Sequence, residues 1–245
     1  METIFKHRSV RKFRPDPIPA AVMERLLLAA SRASTTGNMQ LYSIIITSGK
    51  ELKEKLSVFH SGQPMVMEAP AVVTFCADVH RFSNWCEMRG ARPEYHNLVW
   101  FMSAAIDTLL ASQNFSLEAE SNGLGICYMG TTLYSAEEII GILDLPTGVI
   151  PVATIALGYP RVVPPLTDRL PVEAIVHYEK YKEYTPQKLA ELWQEKEASE
   201  ETARLIEENG LPNLARIFTE RRYRGEESAA FSEKYLDTLK KQGFI

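Results

Sequence analysis

The sequence predicts an α/β or α+β sandwich, because short strands rich in β-branched residues alternate along the chain with helical patterns. Residues 41–47 (LYSIIIT) and 71–77 (AVVTFCA) are typical of buried strands. Residues 94–121 keep a helical spacing of apolar side chains, and Asn122-Gly123 is a common helix stop. We therefore expect a sheet covered by helices, one of them unusually long.

Length and composition indicate an ordinary soluble globular chain. The 245 residues are 45% hydrophobic and 24% charged, enough apolar material for one large core. With 27 Lys and Arg against 31 Asp and Glu, the formal net charge is -4, which does not favour nucleic acid. The sequence predicts no signal peptide, and no uncharged stretch approaches the roughly eighteen residues that a membrane span needs. We predict a cytoplasmic protein with no nucleic-acid or membrane partner.

The cysteines indicate neither a disulfide framework nor a metal site. Cys76, Cys86 and Cys127 are odd in number and form no C-x-x-C pair, and no nearby histidine has zinc-ligand spacing. We predict reduced thiols, two of them in buried strands, and no metal.

The first half of the chain is predicted to add helices around the two strands. Residues 20–33 place apolar side chains on one helical face, and residues 51–59 form a short charged helix. Residues 81–93 have no clear period, so they fit either an excursion loop, such as a lid, or a helix. From residue 98 to residue 110 the only charge is Asp107, which indicates a helix buried in the core or in an oligomer interface.

The second half is predicted to add two more strands and a helix. Residues 124–129 read as a strand, and the S-x-x-E pattern that starts residues 135–143 is a capping box for a helix. Residues 149–157 read as a fourth strand, in which Pro151 favours a strand start or an edge position.

The composition of the tail differs from that of the rest. Beyond Tyr178, residues 186–208 and 226–241 are helical stretches rich in Glu and Lys, with few large apolar residues. They could not form a core alone. We predict that the tail covers another surface, either its own domain or a second subunit.

Two polar stretches are candidates for a ligand site. His7 to Phe13 (HRSVRKF) places four basic side chains and one hydroxyl in seven residues. Arginine binds phosphate through paired hydrogen bonds, and Val10 and Phe13 can anchor the backbone, so the stretch is either a phosphate site or a solvated basic turn. Residues 34–40 (STTGNMQ) are either a solvated loop or a pocket wall rich in hydrogen-bond donors.

Familiar catalytic motifs are missing from the sequence. No G-x-G-x-x-G follows a strand, and there is no G-x-S-x-G, Walker A or H-E-x-x-H motif. An enzyme without an evident nucleophile or metal leaves the chemistry to an organic cofactor.

Taken in order, the motifs resemble the nitroreductase family of flavoproteins. In that family an H-R-S-x-R-x-F stretch binds the FMN phosphate and ribityl chain, and a serine-rich loop ending in Gln lies along the flavin. A G-G-Q motif and a Y-I-G-G strand end lie near the ring, and a P-x-L-K-x-R-L-P motif supplies a second phosphate ligand. The resemblance assigns these residues to FMN binding: His7, Arg8, Ser9, Arg11, Thr35, Thr36, Gly37, Asn38, Gln40, Gln63, Tyr128, Met129, Gly130, Thr131 and Arg169.

The resemblance implies an α+β fold with a central, mainly antiparallel sheet flanked by helices. Residues 1–175 are expected to form the FMN-binding core. Residues 176–245 are expected to form a helical C-terminal extension of the same domain that embraces the partner of a homodimer. Each FMN site is then built from both subunits at the dimer interface.

The resemblance also implies the reaction. NADPH or NADH gives a hydride to flavin N5 and leaves, and a nitroaromatic, quinone or related small acceptor takes its place, in a ping-pong order. No protein side chain is assigned as catalytic, because the flavin carries the chemistry. The alternatives are a flavin reductase that releases reduced flavin and a flavin-binding protein without turnover.

Several positions depart from the family pattern. Thr167 replaces a lysine, which removes a cation near the phosphate or ring. Thr131 replaces the second glycine of Y-I-G-G, so a bulkier residue borders the pocket. Gly37 and Asn38 replace a serine and an aromatic residue, which changes the shape of the substrate side.

Overall fold

The computed structural model describes residues 2–245, which form an α+β fold around one four-stranded sheet. The strands are β1 (Tyr42–Thr47), β2 (Ala71–Asp78), β3 (Gly125–Tyr128) and β4 (Val149–Gly158). The α-helices are α1 (Glu2–Phe5), α2 (Ala20–Ser31), α3 (Lys50–Phe59), α4 (Pro64–Glu68), α5 (His80–Met88), α6 (Leu98–Ser121), α7 (Ala136–Ile142), α8 (Pro186–Glu197), α9 (Glu200–Asn209), α10 (Leu214–Ile217) and α11 (Gly225–Lys241). Helical turns of other pitch span Thr36–Asn38, Gly130–Thr132, Val172–Ala174 and Phe218–Arg222.

All neighbouring strands of the sheet are antiparallel, in the order β1-β2-β4-β3. Ile44 lies opposite Phe75, Thr74 opposite Thr154, and Cys127 opposite Ala156. The predicted α+β fold with a mainly antiparallel sheet is confirmed.

Pro151 lies in β4, an inner strand, at a place where the ladder tolerates it. β3 pairs only with the last residues of β4, from Ile155 to Gly158, so the first half of β4 has a neighbour on one side. The register with β2 also shifts between Phe75 and Cys76, beside Pro151. The missing N–H of proline therefore breaks no interior ladder.

Helix α6 is the main support of the sheet. Phe115 of α6 packs edge-on against Phe75 of β2, with ring centroids 5.4 Å apart. One flank of α6 stays exposed although it is apolar. The residues of this exposed flank are Leu98, Val99, Met102, Ile106, Leu109 and Leu110.

The structure decides one open prediction and differs from another. Helix α5 covers the first part of residues 81–93, so the helix alternative is confirmed there, and α4, which was not predicted, begins at Pro64, directly after Gln63. The S-x-x-E capping box does not form, because the Ser135 side chain makes no cap and Glu138 pairs with Lys234 of α11.

The predicted helix over residues 186–208 is two helices. Helix α9 has its own cap, in which the Ser199 hydroxyl accepts a hydrogen bond from the Thr202 N–H. A cap inside a continuous polar run is difficult to recognise from helical periodicity, because Ser199 interrupts no apolar pattern.

The chain divides into two compact units. The first contains the residues up to 165 together with residues 231–245, and the second contains residues 166–230. In the second unit, Leu192, Leu214 and Ile217 are buried among α8 to α10. Our division into a core of residues 1–175 and an extension of residues 176–245 stays a prediction. Within residues 2–245, no helix is both long and apolar enough to cross a membrane.

Candidate functional site

The basic stretch near the N-terminus lies along the outer side of β3. Ser9 forms a parallel bridge with Ile126, and the Val10 N–H donates to the Ile126 carbonyl at 2.9 Å. Val10 and Phe13 are buried, 4% and 2% exposed, as the sequence predicts for anchoring residues. Their burial fixes the backbone of Arg11, which lies between them, and the pairing of Ser9 and Val10 with Ile126 fixes the backbone next to Arg8.

This close approach requires glycine in β3. A Cβ on Gly125 would lie 2.6 Å from Cβ and Cγ2 of Val10, closer than non-bonded carbon atoms approach. Gly125 therefore lets the basic stretch pack directly against the strand.

Arg8 lies at a cleft of about 450 Å³. Its Nε is buried without a partner among residues 2–245, while its Nη1 donates to the Lys6 carbonyl at 3.3 Å. Lys6 and Glu120 also line the cleft. Arg11 is exposed and lies near Cys127, where burial raises the pKa of the thiol and the Arg11 charge partly offsets that rise.

His7 is bound to the far end of α6. Its Nδ1 lies 2.8 Å from Oε1 of Glu120, which also accepts from the Arg8 N–H at 3.5 Å. The second carboxylate oxygen, Oε2, is buried without a partner in the described part of the chain. Glu120 therefore orients the start of the basic stretch and keeps one free acceptor at the cleft.

The loop of residues 35–40 is held by a single buried carboxylate, Asp107, which is 1% exposed. The Thr36 N–H and hydroxyl donate to Oδ1 at 2.9 and 3.1 Å. The Thr35 hydroxyl donates to Oδ2 at 2.5 Å, and the Leu41 N–H does so at 3.4 Å. The hydroxyls of Thr35 and Thr36 thus bind Asp107, and we infer that they shape the loop.

The same loop contains strained backbone. Asn38 and Gln40 have φ values of 57° and 54°, in the left-handed region that costs a residue with a side chain roughly 1–3 kcal/mol. Gln40 is held by three hydrogen bonds: its N–H donates to Thr35 Oγ1 at 2.8 Å, and its carbonyl accepts from the Tyr42 N–H at 2.7 Å and from Arg81. Backbone held in such conformations is common at ligand sites.

The Gln63 loop and the turn after β3 meet at a histidine. His60 is fully buried, and its Nδ1 lies 2.8 Å from the Thr131 hydroxyl oxygen. Burial lowers the pKa of His60 to about 4, so the ring is neutral near pH 7. Thr131 therefore gives the buried His60 ring a hydrogen-bond partner, which a glycine at this position would not provide.

Tyr128 is tied to α6 by its hydroxyl. The Tyr128 hydroxyl donates to Ser112 at 3.0 Å, and the Ser116 hydroxyl lies 3.2 Å from it. Ser112, Ser116 and Glu120 recur every four residues, so they form a polar stripe along one face of α6. This stripe holds Tyr128 and His7, and Asp107 holds the loop of residues 35–40 from another face of the same helix.

The structure thus brings most of the predicted residues onto one support. His7 to Arg11 run beside β3, and Tyr128 to Thr131 form the end of β3 and the turn after it. Gln63 is joined to that turn through His60, and residues 35–40 are held by helix α6. Sequence reasoning missed the supporting residues Ser112, Ser116, Glu120 and His60. The isolated charge of Asp107 was a visible signal, because an unpaired carboxylate is costly in an apolar helix.

Arg169 belongs to the second unit. It is exposed and donates to the Thr167 hydroxyl at 2.7 Å and to the Asp168 carbonyl at 2.9 Å. Its role as a second phosphate ligand stays a prediction.

The thiols of the chain are buried rather than exposed to a ligand. Two cysteines, Cys76 and Cys127, are buried in strands β2 and β3, as predicted, and Cys86 is buried in α5. Burial raises the pKa of Cys76 and Cys127. Across residues 2–245, no group of three or more His, Cys, Asp or Glu side chains is arranged to hold a metal ion.

The chain is similar to known proteins over the region that contains the candidate site. A sequence profile described as the Nitroreductase family matches residues 4–159. The chain is 37% identical over 183 residues to the FMN reductase (NADPH) of Bacillus subtilis strain 168, covering 74% of each protein. It is 33% identical over 184 residues to the oxygen-insensitive NADPH nitroreductase of Salmonella typhimurium strain LT2, again covering 74% of each. A crystal structure from Bacteroides fragilis NCTC 9343 matches with a TM-score of 0.99 and 45% identity over 100% of both chains. The profile match contains every candidate residue except Arg169.

Proposed function

The chain belongs to the Nitroreductase family, and we propose that it uses NAD(P)H and bound FMN to reduce a nitroaromatic, a quinone or a related small acceptor. Family membership and the names of the relatives support the coarser statement, an NAD(P)H-dependent flavin oxidoreductase. The acceptor, the order of binding, the dimeric site and the cytoplasmic location are the finer parts of the proposal.

The donor set of the first unit fits the phosphate and ribityl part of FMN. The buried Nε of Arg8 has no acceptor within residues 2–245, and an unpaired buried donor costs roughly 1–3 kcal/mol. A phosphate oxygen is the kind of acceptor that a guanidinium donor binds best. Glu120 Oε2, the unpaired acceptor at the same cleft, suits a ribityl hydroxyl. The orphaned Arg8 donor is the observation that carries the proposal.

The residues of the chain bind and orient, and the cofactor carries the electrons. When bound, FMN supplies the redox chemistry, accepting a hydride from the nicotinamide and passing electrons to the acceptor. Arg8 and Arg11 would neutralise the phosphate, and the side chain of Gln63, which makes no hydrogen bond to residues 2–245, would bind the ring or the ribityl chain. The strained backbone of Gln40 fixes the loop of residues 35–40, which we propose as one wall of the flavin site.

The exposed flank of α6 supports the homodimer. The side chains of Val99 and Ile106 on this flank are 72% and 53% exposed, and apolar flanks of this kind on a long helix commonly mark a protein interface. We propose that a second copy covers it and completes the FMN site. Nicotinamide and acceptor then use the same opening in turn, which is the ping-pong order.

An anaerobic titration tests the proposal. Purified protein should be yellow, and NADPH or NADH should bleach it. Nitroaromatics, quinones and free flavin are then added separately to rank the acceptors, and initial rates should give parallel double-reciprocal lines. Colourless protein that takes up no added FMN would refute the proposal, and so would bound FMN that neither nicotinamide reduces. Intersecting lines would refute the ping-pong part alone.

A second candidate function is supported by the FMN reductase relative at 37% identity. In that case free FMN is the acceptor and reduced flavin leaves the protein. The two functions differ in the ranking above, because a flavin reductase turns over free FMN faster than any nitroaromatic or quinone.

A further inference from the structure

His60 and Thr131 form a contact that the proposed function does not use. His60 follows the last residue of α3 and is fully buried, and its ring meets the Thr131 hydroxyl at 2.8 Å. Nε2 on the other side of the ring has no partner among residues 2–245. Thr131 is therefore the single hydrogen-bond partner that the described structure offers to this ring.

The two segments that the contact joins differ in how they are held. The turn after β3 is fixed to the sheet, since the Met129 N–H donates to the Thr154 carbonyl at 2.8 Å and the Thr132 hydroxyl donates to the Met129 carbonyl at 2.8 Å. The loop before α4 contains two successive left-handed residues, Ser61 and Gly62, with φ values of 56° and 62°. Ser61 has a side chain, so its left-handed conformation is strained and has to be balanced by interactions elsewhere.

The backbone of Gln63 depends on His60. The Gln63 N–H donates to the His60 carbonyl at 3.2 Å, and α4 starts at the next residue. Among residues 2–245, the bond between His60 and Thr131 is the one hydrogen bond that joins residues 60–63 to residues 128–135. The bond from the His60 ring therefore ties the loop that contains Gln63 to the turn, while the Gly62 N–H ties the same loop to the Ser57 carbonyl at 2.8 Å.

We propose that the hydrogen bond between His60 and Thr131 is a latch that sets the position of Gln63 against the turn of residues 128–131 for flavin binding. Both residues are positioning residues, since they act through Gln63 and the turn. The flavin part of this inference rests on the proposed function, whereas the coupling between the two segments does not.

Four variants test the latch. Thr131→Val removes the hydroxyl with little change of shape, Thr131→Ser keeps it, His60→Phe removes the ring nitrogens, and the fourth variant combines His60→Phe with Thr131→Val. Amide hydrogen exchange of Gly62 and Gln63 reports the loop directly, and fluorescence titration of apo-protein with FMN reports the site. Thr74→Val is the matched control, because Thr74 is buried and its hydroxyl has no partner in the described chain.

The latch predicts a specific pattern. Thr131→Val and His60→Phe should each speed exchange at residues 62–63 and weaken FMN binding about tenfold, the loss expected for one buried hydrogen bond. Thr131→Ser should restore both, and the double variant should be no worse than either single one. Thr131 is only half-buried, so its variants test the bond even if His60→Phe fails to fold.

Two results would overturn the inference: losses that add in the double variant, or a Thr131→Val protein that behaves like Thr74→Val. The exchange measurement separates this failure from that of the proposed function. If wild-type protein binds no FMN, the proposed function fails, and the exchange pattern still decides whether the two segments are coupled.

Discussion

Replacing Asp107 with asparagine should loosen the loop of residues 35–40 without unfolding the protein. An asparagine oxygen in the place of Oδ1 keeps both donors of Thr36. Its amide nitrogen then faces the Leu41 N–H and cannot accept from it. Because Leu41 is 0% exposed, no water can replace the lost acceptor. One orphaned backbone donor costs roughly 1–3 kcal/mol, and loss of the charge-assisted bond from Thr35 adds about 1 kcal/mol.

The expected loss of stability is therefore about 2–4 kcal/mol, below the 5–15 kcal/mol or so that typically holds a domain folded. Urea unfolding followed by circular dichroism measures the global part of this loss. Amide exchange at Thr36, Gln40 and Leu41 measures the local part, which should exceed that of β2 or β4. FMN affinity should fall with it, because the strained Gln40 backbone loses its support.

The matched control is Asp237→Asn, which makes the same chemical change at an exposed residue paired with Lys240 at 3.2 Å. It should cost less than about 1 kcal/mol. The reasoning about Asp107 is refuted if exchange in residues 35–41 stays at the wild-type rate, or if Asp237→Asn costs as much.

Four further predictions follow from the site. Arg8→Ala should weaken FMN binding about 10- to 100-fold without unfolding the protein, since a charged hydrogen bond is worth roughly 1.5–3 kcal/mol; FMN titration measures it. Gly125→Ala should destabilise the protein by about 1–3 kcal/mol by pushing Val10 off β3, seen as a lower melting temperature. Burial lowers the pKa of His60 from 6.5 to about 4, so between these pH values the unfolded state binds more protons than the folded state. The free energy of unfolding should therefore fall by about 3 kcal/mol as the pH drops from about 6.5 to about 4. His60→Phe should remove most of this pH dependence from urea unfolding. Ile106→Glu should shift the sedimentation coefficient from that of a dimer to that of a monomer.

Each of these variants has a matched control. Arg25→Ala removes an exposed arginine and should leave FMN binding unchanged. Gly141→Ala adds a Cβ that meets no atom within 4 Å. His96→Gln removes an exposed histidine and should keep the pH profile, and Val58→Glu places a charge on a different exposed apolar position. If a control changes the measured property as much as the variant that it is paired with, the corresponding prediction is contradicted.

The strands and helices were predictable where the polarity of each side chain matches its burial in the fold. Residues 71–77 are apolar on both faces because β2 is buried on both faces, and the structure places a fully buried strand there. Helix α5 was ambiguous because Trp85 and Met88 are apolar yet exposed, 52% and 84%, which blurs the helical period.

The motifs of the candidate site were visible in the sequence, and the residues that support them were not. A stretch such as His7 to Phe13 carries its chemistry in consecutive residues, so its types and spacing are visible in one line of sequence. Glu120, Ser112 and His60 act on partners that are distant in the chain, and ordinary polar residues give no local sign of a distant partner. Thr131 appeared to be a departure from a glycine, and only the fold shows the imidazole beside it.

The distances along the chain between motifs and supports have a consequence during protein synthesis. His7 is made 113 residues before Glu120, and Thr35 is made 72 residues before Asp107. At roughly 5–20 residues per second, the ribosome adds Glu120 about 6–23 seconds after His7. A nascent chain that stops short of Asp107 therefore carries the whole basic stretch and the loop of residues 35–40, but neither carboxylate that holds them.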